Sequence, residues 1–230
     1  MITVYTVAFN EELQLQFFID FYRSRFKDCH IVIYDNMSTD DTVKIGKENN
    51  CEIISYDTNN QINDKKYLEI KNNCWKSSQT DWVLVADVDE LLDITPTYLL
   101  NEYASIISSE GYNMINMDNC PLSEIKWGAR HYNSDKSYLF NKREIKEINY
   151  EAGCHKANPT GNVSYSERTY RAYHYNFINL ELSIEKYKTY AKRLSPENIK
   201  NGWGIHYLMT PEQIKAEYLE IQRNAIRLFL

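Results

Sequence analysis

The pattern of apolar and polar positions divides the chain into two unlike halves. Residues 2–9 read as a strand, and Asn10-Glu11-Glu12 leads into an apolar-periodic helical segment that runs to Phe26. His30 to Tyr34 predicts a second strand. The polar run Asp35-Asn36-Met37-Ser38-Thr39-Asp40-Asp41 interrupts it, and Ser38, three residues before Asp41, resembles a capping arrangement for a helix over 39–49. A third short strand fits 51–56, and a surface helix over 62–78 carries Tyr67, Ile70 and Cys74 at spacings of three and four. Then comes Trp82-Val83-Leu84-Val85-Ala86, an unbroken apolar run of the kind buried on both faces of a parallel sheet. Strand and helix alternate through this half. They predict right-handed βαβ crossovers and an α/β fold: an open, mostly parallel sheet with helices on both faces.

The pattern changes near residue 110. Alternation in Tyr112-Asn113-Met114-Ile115-Asn116-Met117 predicts a strand, and Lys136-Ser137-Tyr138-Leu139-Phe140 another. From 143 to 177 the chain is polar and aromatic with few periodic runs, which reads as sheet edge and binding loops. Helices return over 180–193 and 211–230, the second opened by Thr210, Pro211 and Gln213 in cap, first and third positions. Its apolar face, Ile214, Tyr218, Ile221, Ala225 and Leu228, is expected to pack on the body of the protein. The organisation expected is one domain, with an α/β layer of nucleotide-binding type over 1–110, a region of sheet and loops over 111–179 and C-terminal helices over 180–230.

Composition narrows the function classes. The 230 residues carry a formal charge of −6 and no basic run, so nucleic acid is not an expected partner. Five cysteines, widely spaced and odd in number, fit neither a disulfide framework nor a zinc pattern, and reduced cytoplasmic thiols are the simplest reading. No segment reads as a signal peptide or as a membrane span, so membrane association is not indicated.

The chemistry concentrates where the central strand ends. Asp87-Val88-Asp89-Glu90 closes an apolar run with three carboxylates, whose mutual repulsion a hard cation would relieve. In an open parallel sheet, strand ends line one rim, so Asn10-Glu11, Asp35 and Asp87 with Asp89 converge on a single crevice. Asp35 can accept from an N–H of a base, with the backbone around Ala8 framing the same ring. Asn10 fits a ligand contact and an ordinary turn former equally. Neither a Gly-x-Gly-x-x-Gly run nor a P-loop is present, so a metal is the expected neutraliser of phosphate.

Val7-Ala8-Phe9-Asn10-Glu11-Glu12, Tyr34-Asp35-Asn36-Met37-Ser38-Thr39-Asp40-Asp41-Thr42 and Asp81 through Glu90 resemble the three signatures of the family 2-like glycosyltransferases with the GT-A fold. The resemblance covers residues 1–93 well and the remainder loosely. It implies a metal-dependent, inverting transfer of sugar from a nucleoside diphosphate donor, a UDP-sugar by family likeness, to a hydroxyl of a glycan or glycoconjugate. Carried over, Asp35 contacts the base, Asp87 the ribose or a metal-bound water, and Asp89 the cation. Gln61, Lys65 and Lys66 are candidates on the helix before the motif. Late motifs around Gly153-Cys154-His155 and Tyr173-His174-Tyr175 offer His155 or His174 as a further metal ligand, which favours Mn2+ over Mg2+; His174 also fits a purely structural role. Lys136, Lys142, Arg143 and Lys156 can neutralise a leaving phosphate or simply be solvated surface. Glu124 and Asp135 are the acids proposed as catalytic base. Tyrosines and tryptophans crowd the second half, as a sugar-binding groove or as ordinary packing. Two other classes share the acids: a metal-dependent phosphate-ester hydrolase, and a non-catalytic nucleotide-sugar or glycan-binding module.

Overall fold

The computed structural model describes residues 1–100 and 102–228. Four parallel strands form the heart of the sheet, in the order β3 (Glu52–Ser55), β2 (His30–Asp35), β1 (Ile2–Ala8) and β4 (Trp82–Val85). Their connections are α1 (Leu15–Arg25), α2 (Thr42–Glu48) and α3 (Asp64–Asn73). Because side chains alternate across a strand, each strand feeds two cores. Ile2, Val4, Ile31, Ile33 and Leu84 pack with Phe18, Ile19 and Tyr22 of α1 on one face. Tyr5, Val32, Val83 and Val85 pack with Ile70, Cys74 and Trp75 on the other. The expected α/β architecture, with a parallel centre and helices on both faces, is what the chain forms.

Beyond β4 the sheet continues with antiparallel pairings. The chain passes through β5 (Glu90–Leu92), α4 (Pro96–Leu100), β6 (Ile106–Ile115), β7 (Trp127–Arg130), β8 (Leu139–Asn141) and β9 (Ile145–Glu147). It continues through β10 (Thr160–Gly161) and β11 (Tyr165–His174) to α5 (Leu180–Arg193), α6 (Pro196–Asn201), α7 (Pro211–Asn224) and β12 (Ile226–Arg227). β8 pairs antiparallel with β4, and β6 leads outward to β7 and β12. β11 runs parallel to β6 and antiparallel to β5, so it brings His174 beside Glu90 and Asn113.

Two expectations change here. The region 143–177, read as edge and loops, contains the ten-residue strand β11. Its inward positions include Ser166, whose hydroxyl accepts from Ser108 N–H at 2.8 Å. Polar residues satisfied across a strand pair blur the apolar alternation on which a strand prediction rests. The helix expected over 211–230 ends at Asn224, after which Ile226 and Arg227 pair with Gly128 and Trp127. The last two residues of that range, 229 and 230, lie outside the described residues. Its apolar face packs as expected, with Ile214 and Ile221 buried against Ile115, Ala129 and Tyr187. No helix among the described residues is long and apolar enough to cross a membrane.

Candidate active site

A cleft of about 390 Å³ opens at the C-terminal ends of β1 and β4. Its floor is built from Ala8, Phe9 and Glu11 after β1 and from Asp87, Asp89 and Glu90 after β4. Helix α3 presents Asp64, Tyr67, Leu68 and Lys71 to it, the i, i+3, i+4, i+7 stripe of one helix face. Helix α5 does the same with Lys186, Tyr190 and Arg193. The far wall is Gly202, Trp203, Gly204, His206 and Tyr207. Gly202 ends α6 in the left-handed conformation at φ 70°, which only glycine adopts without strain, and so turns the chain toward Trp203.

Each carboxylate of the Asp-x-Asp-Glu motif meets a lysine from a different part of the chain. Lys71 Nζ donates to Asp87 at 2.6 Å, Lys186 Nζ to Asp89 at 2.8 Å, and Lys136 Nζ to Glu90 at 2.5 Å. Burial works against charge on all of these groups. The pairing prevails: Asp87 is held below its ordinary value by Lys71 and then Lys136, and Asp89 well below it by Lys186 and then His174. Burial alone would lower Lys71 and Lys186; Asp87 and Asp89 keep their values well above the usual lysine range. Nearby, burial pushes the Glu11 carboxyl up to about 7 against the opposing pull of Lys186. Tyr190 donates its hydroxyl proton to Glu11 at 3.3 Å.

Two histidines reach the cleft in different ways. His174 Nδ1 lies 3.0 Å from Asn113 Oδ1, and its Nε2 is 3.6 Å from Asp89 Oδ2. His155 Nδ1 lies 2.7 Å from the carbonyl of Asn133, an acceptor that fixes the proton on Nδ1 and leaves Nε2 with a lone pair. Burial and then Lys136 lower the His155 value, so the ring is neutral near pH 7. His206 also lines the cleft and is held down to about 4 by burial, whereas His131 stacks on His174 with centroids 5.7 Å apart.

Of the residues expected at the site, Ala8, Glu11, Asp87, Asp89, His155 and His174 meet in this one cleft. Five others do not line it. Asp35 is 2% exposed, and its carboxylate accepts from Ser38 N–H within its own turn. Asn10 is a turn former at φ 54°, its side chain accepting from Thr39 N–H at 2.8 Å. Asn10 thus ties the first motif loop to the second, and Asp35 braces the second from within. Lys65 faces outward and pairs with Glu197 at 3.4 Å. Glu124 is exposed on a short 3-10 turn before β7. Asp135 is occupied by Gly111 N–H at 2.7 Å and by Arg130 at 2.5 Å.

Lys71, Lys186, Tyr190 and Arg193 were not singled out by the sequence, although a helical face gave a signal for each group. Once Tyr67 is placed toward the cleft, Lys71 follows one turn later, and Arg193 follows Lys186 by two turns.

No family model matches the chain, and no curated protein matches it either. Solved structures do resemble it. S. aureus TarS 1-349 is 15% identical with a TM-score of 0.47, over 95% of this chain and 70% of that one. The same protein in complex with UDP-GlcNAc gives 15% and 0.48, over 95% and 71%. Glucosyl-3-phosphoglycerate synthase from Mycobacterium tuberculosis, solved with Mn2+, UDP and glucosyl-3-phosphoglycerate, gives 19% and 0.36, over 48% and 44%.

Proposed function

We propose that the protein is a nucleotide-sugar glycosyltransferase with the GT-A fold, acting from a UDP-sugar on a hydroxyl of a glycan or glycoconjugate. The observation that carries this reading is the meeting of Asp87, Asp89 and Glu11 with Lys71 and Lys186 in one cleft at the strand ends. Such a rim binds ligands in open α/β sheets. Carboxylates interleaved with lysines suit a ligand that is itself anionic and brings a cation.

Two donors stand within reach of a divalent metal. Asp89 Oδ2 lies 3.6 Å from His174 Nε2 and 2.8 Å from Lys186 Nζ, and with its proton on Nδ1, toward Asn113, His174 would present a lone pair to an ion at Asp89. Asp89 and His174 would hold the ion, and an imidazole in the set suits manganese. Among the described residues no third His, Cys, Asp or Glu completes a cluster, so the protein would supply only these two donors. When bound, the ion neutralises charge on the departing diphosphate.

The protein's own groups account for the rest. Lys71 and Lys186 stand at the two aspartates to receive phosphate oxygens. The acceptor hydroxyl forms the new bond to the anomeric carbon as the bond from that carbon to the diphosphate oxygen breaks and its electron pair leaves with the nucleoside diphosphate. The hydroxyl proton passes to a base on the opposite side, giving inversion. His155 is the group proposed for that role, since it lines the cleft with its proton on Nδ1 and a lone pair on Nε2, while Glu124 and Asp135 stand outside it.

Calorimetry with UDP, with and without manganese, tests the donor site: binding that is unchanged by chelation and by Asp89→Ala overturns the metal role. A screen of UDP-sugars against a glycan array, reading release of UDP, tests transfer. His155→Gln should bind UDP as the wild type does and lose transfer by 100-fold or more, within the range of an acid–base catalyst. Release of UDP without a glycosylated product would favour the hydrolase, and binding without release the binding module.

A further inference from the structure

Arg193, the last residue of α5, is more than nine-tenths buried at the edge of the cleft and has no carboxylate partner among the described residues. Its Nε donates to the carbonyl and side-chain oxygens of Asn60 at 3.2 and 3.1 Å. Its Nη2 is buried with no hydrogen-bond partner. The guanidinium carbon Cζ lies over the Phe9 ring, 3.2 Å from its centroid, directly after β1. A buried guanidinium N–H without an acceptor gives up its hydration for nothing in return, and such groups persist in native structures where a ligand or water completes them.

The surroundings define the missing acceptor. Phe9, Tyr56, Tyr67 and Ile62 line the cleft around Arg193, an apolar and aromatic setting suited to a flat ring. Lys186 and Lys136 stand on Asp89 and Glu90, and Lys71 stands on Asp87 one turn along α3 from Tyr67. Lys186 and Arg193 share one face of α5, seven residues or about 10 Å apart along the axis. A ribose would bridge that separation, with diphosphate at the Lys186 end and base at the Arg193 end. Asp35, the residue expected to read the base, is turned into its own loop.

We infer that Arg193 is the base-reading residue of the donor site, with its free guanidinium N–H groups donating to a carbonyl oxygen of the nucleobase. This rests on the nucleotide-sugar reading of the cleft. Uracil presents such oxygens. Adenine presents none, so the same contact discriminates against it.

The test compares UDP, ADP and inorganic pyrophosphate, each with manganese, by calorimetry on the wild type, Arg193→Met and Arg193→Lys. The wild type should prefer UDP to ADP by at least tenfold. Arg193→Met should weaken UDP by tenfold or more, erase that preference and leave pyrophosphate unchanged. Arg193→Lys keeps a charge near Phe9 and guards against loss of the fold, which melting curves would report; it should also lose the preference, because an ammonium lacks the planar fork. Equal losses for UDP and pyrophosphate would move Arg193 to the phosphates and overturn the inference. Unchanged UDP binding in both variants would overturn it while leaving the donor site standing. A wild type that binds no nucleoside diphosphate would overturn both.

Discussion

The floor and the wall of the cleft are held by different physics. The floor is the end of a packed sheet: Val83, Leu84 and Leu91 are fully buried, and the acids follow directly from strands that cannot shift without opening two cores. The wall, formed by α5, α6 and the turn through Tyr207, packs Tyr187 and Tyr207 into a smaller core with Ile115, Ala129 and α7, and meets the first half of the chain through a few polar ties. Ile62 N–H donates to Arg193 O at 2.6 Å, Ser195 N–H to Ile62 O at 3.1 Å, and Asp64 N–H to the Asn198 side chain at 3.0 Å. Ile199, Ile205 and Leu208 on that side remain more than half exposed. A floor set by burial fixes where the acids are. A wall with its own smaller core, joined to the first half by hydrogen bonds and charge pairs, can respond to what fills the space between them.

The strongest way to break the floor is through the third acid of the motif. Lys136 and Glu90 are both buried, and removing one partner strands the other charge. Lys136→Met should cost about 3–5 kcal/mol in urea unfolding. Adding Glu90→Gln should recover much of that loss, a result that would assign this pair to holding the floor.

Glu11 sits where floor meets wall, and its ionisation strains the junction. Its folded value of about 7 exceeds the ordinary carboxyl value, so the folded state holds a proton that the unfolded chain has released. The carboxyl therefore costs nothing below about pH 4. Its penalty grows as pH rises and is complete above about 7. Glu11→Gln should stabilise the protein at pH 8 by on the order of 2 kcal/mol, allowing for solvent screening, and not at all at pH 4. Melting temperatures across that range check the sign.

A smaller change probes the wall alone. Ser195 caps α6, its hydroxyl accepting from Asn198 N–H at 3.1 Å and donating to the same side chain that holds Asp64. Ser195→Ala should cost about 1 kcal/mol and weaken UDP binding more than that loss accounts for, if the wall shapes the cleft.

Smallest of all is Lys65→Ala. Its exposed pair with Glu197 is worth less than about 0.5 kcal/mol, and UDP affinity should not change. Lys71→Ala on the same helix should weaken UDP binding; equal effects from the two would blur the distinction between cleft face and outer face.

The strands of the first half were legible because each is a short apolar run bounded by polar turns, and burial imposes that pattern residue by residue. The same reasoning placed Asp87 and Asp89 at the end of a buried strand and brought Glu11 to the same rim. β11 escaped because its inward Ser166 is satisfied by Ser108 of β6, whose N–H donates to the Ser166 hydroxyl and whose hydroxyl donates to the Ser166 carbonyl, without an apolar residue at that position. Asp35 and Asn10 were rightly placed at strand ends, yet loop contacts decide where each side chain points, within its own turn for Asp35 and with Thr39, 29 residues away, for Asn10.

What the sequence by itself determined is therefore the parallel layer and the line of acids at its rim, since both follow from local periodicity and strand direction. Tertiary structure alone decided which cations answer those acids. Lys71, Lys136 and Lys186 lie 16, 46 and 97 residues from their partners, and Arg193 meets Phe9 from the far end of α5. A charge pair needs only that two atoms come within hydrogen-bond distance. It imposes no repeat on the chain around either one, so it becomes visible only when packing has brought the elements together.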